Sequence, residues 1–246
     1  MSDEKIYGRE FVMEESYLSP KGNLRLSKFL ALVQEVVLGG SDFVGVGVEK
    51  VKEKNLYWVV MSYRFEIARM PRLGEKIFFQ TYPGKSRSFI YPRYFIISDE
   101  AKHVIMRGIS MWALLDHVTH RPVTPEVSGF YGNYIYSFPE ELAWPPTMRL
   151  GDLTLKESRP VYPSDIDFNG HMSNIRYMDF ALDSEALDFF DTHKIKAFQI
   201  NYSSETTVGA KMNIYSSVQA PLLSYQGRVN DKTVFSLQIE LDNAAK

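Results

Sequence analysis

Residues 22–40 of the chain read GNLRLSKFLALVQEVVLGG, and their pattern sets the plan of the first half. The apolar residues of this stretch recur at the spacing of one helix face. They are Leu26, Phe29, Leu30, Val33 and Val37. Gly39 and Gly40 follow, and glycine is common immediately after the end of a helix. The stretch therefore predicts a helix that ends at this glycine pair.

Four segments rich in β-branched and aromatic residues follow the predicted helix, and this composition is typical of strands. They are residues 56–67, 75–83, 87–98 and 103–116. The connections between them are short and contain turn residues such as Gly74 and Gly84. Because parallel strands need long crossover connections, the pattern predicts an antiparallel sheet.

The second half of the chain repeats the same order of helix and strands. The helix pattern is formed by Ile175, Met178, Leu182, Ala186 and Phe189, and the strand-like segments are residues 196–205, 210–219, 222–230 and 232–241. An offset of 135 residues, 209 minus 74, superposes IFFQTY (77–82) on MNIYSS (212–217). The two halves of the chain therefore look like copies that arose by internal duplication.

The duplication predicts three regions along the chain. Residues 1–123 form a first repeat, which we expect to supply the apolar wall of a ligand pocket. Residues 152–246 form a second repeat, which carries the polar cluster described below. Between them, residues 124–151 are rich in proline and glycine, which favours a linker. A long decorated loop within a single domain stays open as the alternative.

The composition excludes several kinds of function. The 246 residues carry 28 basic and 30 acidic side chains, so the net charge gives no reason to expect a nucleic-acid partner. There is no cysteine, which removes disulfides and a cysteine nucleophile. No apolar run is long enough to cross a membrane, and no set of residues indicates a metal site or cofactor. We expect a cytoplasmic protein.

Residues 165–174, DIDFNGHMSN, crowd short polar groups before the second helix. An ordinary turn at Asn169-Gly170 with Ser173 as the helix N-cap explains part of this cluster. It leaves the histidine at position 171 unexplained. Because a helix N-terminus has free N–H groups and a positive dipole end, polar groups there can hold a developing oxyanion, which suits acyl transfer.

The polar cluster occurs only in the second repeat. Aligning Gly22 with Gly170 places Asn23 opposite His171 and Lys21 opposite Asn169. The offset of 135 residues likewise places Met70 opposite Glu205. We therefore expect one active site in each chain.

The segment DFNGHMSNIRY (167–177) resembles the D-x-N-x-H-x-x-N-x-x-Y signature of the fatty acyl-ACP thioesterases of plants and bacteria, which release fatty acids from acyl carrier protein. VQEV (33–36), MWALLDHVTHRPVTP (111–125) and NYSSE (201–205) are similar to other parts of that family. The resemblance implies an α+β fold, the tandem hotdog, in which each of two antiparallel sheets wraps a long central helix. Two positions depart from the pattern: Thr206 stands where some members have cysteine, and Ser173 where asparagine is common.

The same resemblance implies the site residues and the partner. The catalytic set would be Asp167, Asn169, His171 and Glu205, and the substrate-binding residues would be Asn174 and Tyr177. The partner would be acyl carrier protein with its phosphopantetheine-linked acyl chain. Lys85, Arg87 and Arg93 are a candidate docking surface for this acidic carrier. A homodimer stays open.

Thioester hydrolysis needs an activated water and a site for the oxyanion. We assign Glu205 as the general base acting through water, with direct attack by its carboxylate as the alternative. His171 would orient the water or protonate the thiolate, Asn169 would position the water or the carbonyl, and Asp167 would hold these groups, with a base role also open. Two other functions stay open: a hotdog thioesterase for acyl-CoA and a non-catalytic acyl-binding or sensor protein.

Overall fold

The structure is a computed structural model that describes residues 6–130, 142–186, 189 and 193–242. The contacts divide the chain into two compact units. One unit comprises Met1–Glu15 and Ala31–Pro145, and the other comprises Ser16–Leu30 and Pro146–Lys246. Part of the predicted linker falls outside the described residues, and the boundaries at 123 and 152 stay a prediction.

The first unit contains an antiparallel sheet of five strands in the order β1-β3-β4-β5-β2. The strands are β1 (Tyr7–Val12), β2 (Leu56–Ile67), β3 (Lys76–Pro83), β4 (Ile90–Ser98) and β5 (Val104–Asp116). Phe65, Phe79 and Phe95 are fully buried, and their rings pack against one another with centroids 5.4 to 6.1 Å apart. Aromatic contacts among side chains of β2, β3 and β4 thus form the centre of this core.

Helix α1 (Leu26–Phe43) contains the predicted apolar face, because Leu26, Phe29, Leu30, Val33 and Val37 are all buried. Two shorter helices in the described residues are α2 (Val48–Lys52) and α3 (Pro125–Ser128).

The predicted end of α1 at Gly39 and Gly40 is wrong, because the helix continues to Phe43. Both glycines face the sheet at short distance instead. A methyl group on Gly39 would overlap the Tyr7 hydroxyl, and one on Gly40 would lie 2.6 Å from Thr81 Cγ2. The pair therefore allows a close approach of helix and sheet rather than a helix end.

Replacing Gly40 with alanine is expected to destabilise the protein. Alanine gains about 1 kcal/mol of helix propensity over glycine, but overpacking a buried contact costs about 1–3 kcal/mol. Urea unfolding should show a net loss relative to Leu38→Ala, an exposed position on the same helix where little change is expected. A Gly40→Ala protein more stable than the parent would contradict the close-approach explanation.

The second unit repeats the topology of the first, with strand order β7-β10-β9-β8-β6. The strands are β6 (Thr154–Pro160), β7 (Ile195–Tyr202), β8 (Lys211–Gln219), β9 (Leu222–Val229) and β10 (Lys232–Leu241), and α4 (Asn174–Leu182) precedes β7. When the second order is read in reverse, from β6 to β7, the two sheets correspond strand for strand. This correspondence agrees with the duplication predicted from the sequence. α4 contacts β9 and β10 and buries Tyr177, Met178, Phe180 and Ala181.

Helix α4 is shorter than the apolar pattern predicted. It ends at Leu182, so Ala186 lies beyond it, and Ile175 and Leu182 are only half-buried. The buried face is instead shifted toward Phe180 and Ala181.

Among the described residues, no helix is both long and apolar enough to cross a membrane.

Candidate active site

The polar cluster forms a small hairpin, residues 166–172, at the entrance to α4. Ile166 pairs with Met172, the Asp167 N–H donates to the His171 carbonyl at 2.8 Å, and the Gly170 N–H donates to the Asp167 carbonyl at 3.0 Å. Gly170 has φ of +81°, a left-handed conformation that favours glycine. The turn expected at Asn169-Gly170 is therefore present, and we call this segment the polar hairpin.

The hairpin is attached to the segment after β7 that carries Glu205, which lies beyond the strand end at Tyr202. The Met172 N–H donates to the Thr206 carbonyl at 2.7 Å. This hydrogen bond brings the preceding residues, His171 and Glu205, close together. His171 Nε2 and Glu205 Oε2 lie 3.3 Å apart. Their side chains are 39% and 57% exposed, so the pair is open to water. The structure thus brings together His171 and Glu205, which are 34 positions apart along the chain (205 minus 171).

Asp167 and Asn169 lie on the turn of the same hairpin. Asp167 is half-buried, and its Oδ1 accepts the Asn169 N–H at 2.8 Å. Asn169 is exposed, so its carboxamide is accessible to an incoming group. Phe168 lies between them with 89% of its surface exposed. The arrangement fixes the backbone of the turn while its side chains face solvent.

Ser173 occupies the N-cap position of α4, as predicted, but its hydroxyl makes no capping hydrogen bond in the described residues. Its N–H donates instead to the Asp165 carbonyl at 2.9 Å. The prediction of a serine side-chain cap was therefore wrong, because the chain entering the helix is held by Asp165.

Asn174 and Tyr177 lie in the first turns of α4. The Asn174 carbonyl accepts the Tyr202 hydroxyl at 3.0 Å. Tyr177 is 3% exposed, and its ring packs 5.3 Å from that of Phe235. Burial raises the pKa of Tyr177, contact with Thr206 opposes this, and the carboxylate of Glu205 adds to it. Tyr177 is therefore a neutral phenol at ordinary pH, and its role in substrate binding stays a prediction.

The sequence interpretation missed an ion pair beside the hairpin. The Asp165 carboxylate, 1% exposed, accepts the Arg176 Nε–H at 2.9 Å, and Arg176 Nη2 lies 2.8 Å from the same oxygen. An aspartate before a turn and an arginine on a helix are each common as solvated surface residues. The spacing of 11 positions, 176 minus 165, was the only available signal for their contact.

The docking surface proposed from the sequence needs one correction. Arg93 is 6% exposed and donates to Thr81 at 3.4 Å and to Ser41 at 3.1 Å. It is thus part of the interior of the first unit and cannot contact a carrier. Lys85 and Arg87 are exposed, and the Arg87 guanidinium lies 4.8 Å from the centre of the Trp144 ring.

The models of two protein domains match this chain. Residues 4–131 match the acyl-ACP thioesterase N-terminal domain, and residues 152–245 match the acyl-ACP thioesterase C-terminal domain. The chain belongs to the acyl-ACP thioesterase family. The resemblance read from DFNGHMSNIRY is therefore confirmed, and the polar hairpin lies within the segment that matches the C-terminal domain of this family.

Curated members of the acyl-ACP thioesterase family are distant relatives of this chain. The chloroplastic palmitoyl-acyl carrier protein thioesterase of Gossypium hirsutum is 22% identical, over 83% of this chain and 53% of the relative. The chloroplastic oleoyl-acyl carrier protein thioesterase 2 of Arabidopsis thaliana is 25% identical, over 83% of this chain and 61% of the relative. The chain thus spans about half to three fifths of the length of these relatives.

Solved structures of acyl-ACP thioesterases have the same fold as this chain. An acyl-ACP thioesterase from Bacteroides thetaiotaomicron matches with a TM-score of 0.90 at 23% identity, covering 98% of this chain and 100% of that one. The 12:0-ACP thioesterase from Umbellularia californica matches with a TM-score of 0.82 at 17% identity, covering 98% and 99%. At these identities the likeness concerns the fold, and the predicted α+β tandem hotdog is confirmed.

Proposed function

We propose that the protein hydrolyses the thioester of acyl-ACP to a free fatty acid and so ends chain elongation in fatty acid biosynthesis. The observation that carries this proposal is the 3.3 Å contact between His171 Nε2 and Glu205 Oε2 at the entrance to α4. Membership of the acyl-ACP thioesterase family supports the choice of substrate. The solvent exposure of both side chains supports a reaction that uses water.

In the proposed reaction, the Glu205 carboxylate takes a proton from a water molecule while the oxygen of that water attacks the thioester carbonyl carbon. The carbon–sulfur bond then breaks, and the sulfur leaves as a thiolate that accepts a proton. His171, in contact with Glu205, orients the water or supplies this proton. Because a thiol with an ordinary pKa of about 8.5 is a good leaving group, the reaction needs no stronger acid.

The negative charge on the carbonyl oxygen requires donors during the attack. The Asn169 carboxamide is exposed on the hairpin turn, where it can donate to that oxygen or to the water. The first N–H groups of α4 and the positive end of its dipole add to this stabilisation. Asp167 holds the turn through the Asn169 N–H, which supports a positioning role for its carboxylate.

Initial rates on acyl-ACP and acyl-CoA with the same acyl chain test the proposal. We expect a higher kcat/KM for acyl-ACP. Equal or faster hydrolysis of acyl-CoA would favour the alternative of an acyl-CoA thioesterase. Tight binding of both without hydrolysis would favour a non-catalytic acyl-binding protein. The cytoplasmic location and the homodimer stay predictions.

The carrier is expected to dock on the exposed basic residues Lys85 and Arg87. Reversing both charges should raise the KM for acyl-ACP severalfold and should weaken its dependence on salt, because rim charges act mainly on association. The rate on acyl-CoA should stay unchanged. A matched control reverses Lys50 and Lys52, which are exposed on α2. Unchanged kinetics on acyl-ACP in the Lys85 and Arg87 variant would exclude this surface.

A further inference from the structure

We propose that the ion pair of the buried Asp165 with Arg176 is a positioning device that holds His171 of the polar hairpin against Glu205. This inference rests on the proposed function for its catalytic consequence. Asp165 has three separate contacts besides its place in the chain. Its Oδ1 accepts the Nε–H of Arg176 in an ion pair, its Oδ2 accepts the Tyr162 N–H at 2.9 Å, and its carbonyl accepts the Ser173 N–H at 2.9 Å.

These contacts join the two ends of the polar hairpin. Tyr162 and Asp165 lie before the hairpin, whereas Ser173 and Arg176 lie after it and belong to the entrance and first turn of α4. Arg176 also forms an ion pair with Asp179, one turn further along the helix. The residues before the hairpin are therefore fixed directly to α4, in addition to the hydrogen bonds within the hairpin.

The carboxylate of this ion pair is buried, whereas the guanidinium is partly exposed: the Asp165 side chain is 1% exposed and the Arg176 side chain 34%. Taking a carboxylate out of water carries a desolvation cost that often cancels its attraction to a partner, so such a pair is weak evidence for a contribution to stability. The contact does restrict the orientation of Arg176, because its Nε–H donates to Asp165 while Nη1 of the same planar group pairs with Asp179. The desolvation cost of Asp165 points to a role other than stability.

The first repeat provides an internal comparison, because it contains the same hairpin. Leu18 pairs with Leu24, the Ser19 N–H donates to the Asn23 carbonyl at 2.7 Å, and the Gly22 N–H donates to the Ser19 carbonyl at 2.9 Å. Gly22 has φ of +85°, close to the +81° of Gly170. The backbone geometry of the two hairpins is therefore the same.

The first hairpin forms without the ion pair. An offset of 148 residues, 170 minus 22, places Tyr17 opposite Asp165 and Lys28 opposite Arg176. The Arg25 N–H donates to the Tyr17 carbonyl at 3.0 Å, which reproduces the backbone contact between residues 173 and 165. Tyr17 has no carboxylate, yet the hairpin keeps its path. The ion pair is thus not needed to form the hairpin, and it accompanies the copy that carries His171.

The copy with the ion pair has a geometric demand that the other lacks. His171 must stay 3.3 Å from Glu205 although 39% and 57% of these side chains are exposed to water. The hydrogen bond from the Met172 N–H to the Thr206 carbonyl fixes one point of the hairpin relative to Glu205. The Asp165–Arg176 pair fixes a second, at the start of α4. Two fixed points define an orientation, which one alone does not.

The test uses Asp165→Asn and Arg176→Gln in the full chain. Each should lower kcat on acyl-ACP between about tenfold and a hundredfold with KM changed less than about twofold, the scale of a small misplacement of catalytic groups. Arg176→Lys, which keeps the charge and loses the planar fork, should recover part of kcat. Lys28→Gln, the equivalent position in the first repeat, should leave kcat unchanged.

A second comparison separates positioning from loss of folded protein. In a His171→Ala background, Asp165→Asn should cause little further loss of kcat, because groups that act on one step are not additive. Glu75→Gln removes a partly buried acid from the Arg69 ion pairs in the first unit and controls for destabilisation, since kcat should survive it. A loss in the His171→Ala background as large as in the parent would overturn the proposal, as would unchanged kcat in folded Asp165→Asn protein.

A structural readout keeps this inference testable even if the proposed function fails, which would show as a parent protein that hydrolyses no acyl thioester. The imidazole NMR signals of His171, assigned from His171→Ala, should change on Glu205→Gln substitution in the parent. They should change little on the same substitution in Asp165→Asn protein, because the two side chains no longer meet. An equal response in both backgrounds would overturn the positioning role.

Discussion

Replacing Glu205 with glutamine is expected to lower kcat on acyl-ACP by about two to four powers of ten, the usual contribution of a general base. The substitution keeps the size of the side chain and removes its ability to take a proton from water. Because Glu205 is 57% exposed, the loss of its charge should leave folding intact. Single-turnover rates and a thermal melt on the same preparation measure both effects.

Glu240→Gln is a matched control for this substitution, since Glu240 is a partly exposed glutamate on β10 that pairs with Lys196. It should retain the parent rate. Turnover by Glu205→Gln at the parent rate would remove the general base from the mechanism. A trapped acyl-enzyme would instead favour direct attack by the Glu205 carboxylate.

Replacing Asn169 with alanine is expected to lower kcat by about two to three powers of ten, which is the effect of losing one oxyanion donor. The Asn169 side chain is exposed and the turn is formed by its backbone, so the hairpin should persist. Binding of a non-hydrolysable acyl-ACP analogue should remain, because the apolar chain supplies most of its affinity. Steady-state kinetics and calorimetry with the analogue separate the two quantities.

The combination of Asn169→Ala with His171→Ala gives a further check. If both side chains act on one transition state, the combined loss is smaller than the product of the single losses. A fully multiplicative loss, or single variants that keep the parent rate, would reduce the polar cluster to a turn and a helix entrance.

Most elements of the fold could be predicted from the sequence because their patterns are local. The strand at 56–67 and the strand at 232–241 were predicted at the bounds that the structure has for β2 and β10. Strands β1 and β6 were missed, because each has one neighbouring strand and stays largely exposed. An exposed strand shows no alternation of apolar and polar residues, which is the signal that identifies the others.

Features that depend on distant contacts could not be predicted in the same way. Gly39 and Gly40 have the pattern of a helix end, and only their contacts with Tyr7 and Thr81 show that the helix continues. Arg93 has the charge of a docking residue, but the fold places it in the interior.

The hairpin residues could be proposed as a site because their polar types are unusual at a helix entrance. The supporting pair of Asp165 and Arg176 was not, since burial of a carboxylate depends on residues far along the chain.

The two strands that were hardest to predict also affect how copies of the protein behave toward each other. β1 and β6 each leave one row of backbone groups without a strand partner in the described residues, and such edges recruit strands from other molecules and lead to aggregation. Here the edges carry charges, Arg9 and Glu10 in β1 and Lys156 and Glu157 in β6. Pro160 ends β6 with a residue that cannot donate a backbone hydrogen bond. The polarity that made these strands hard to predict thus disfavours polymerisation through the sheet edges.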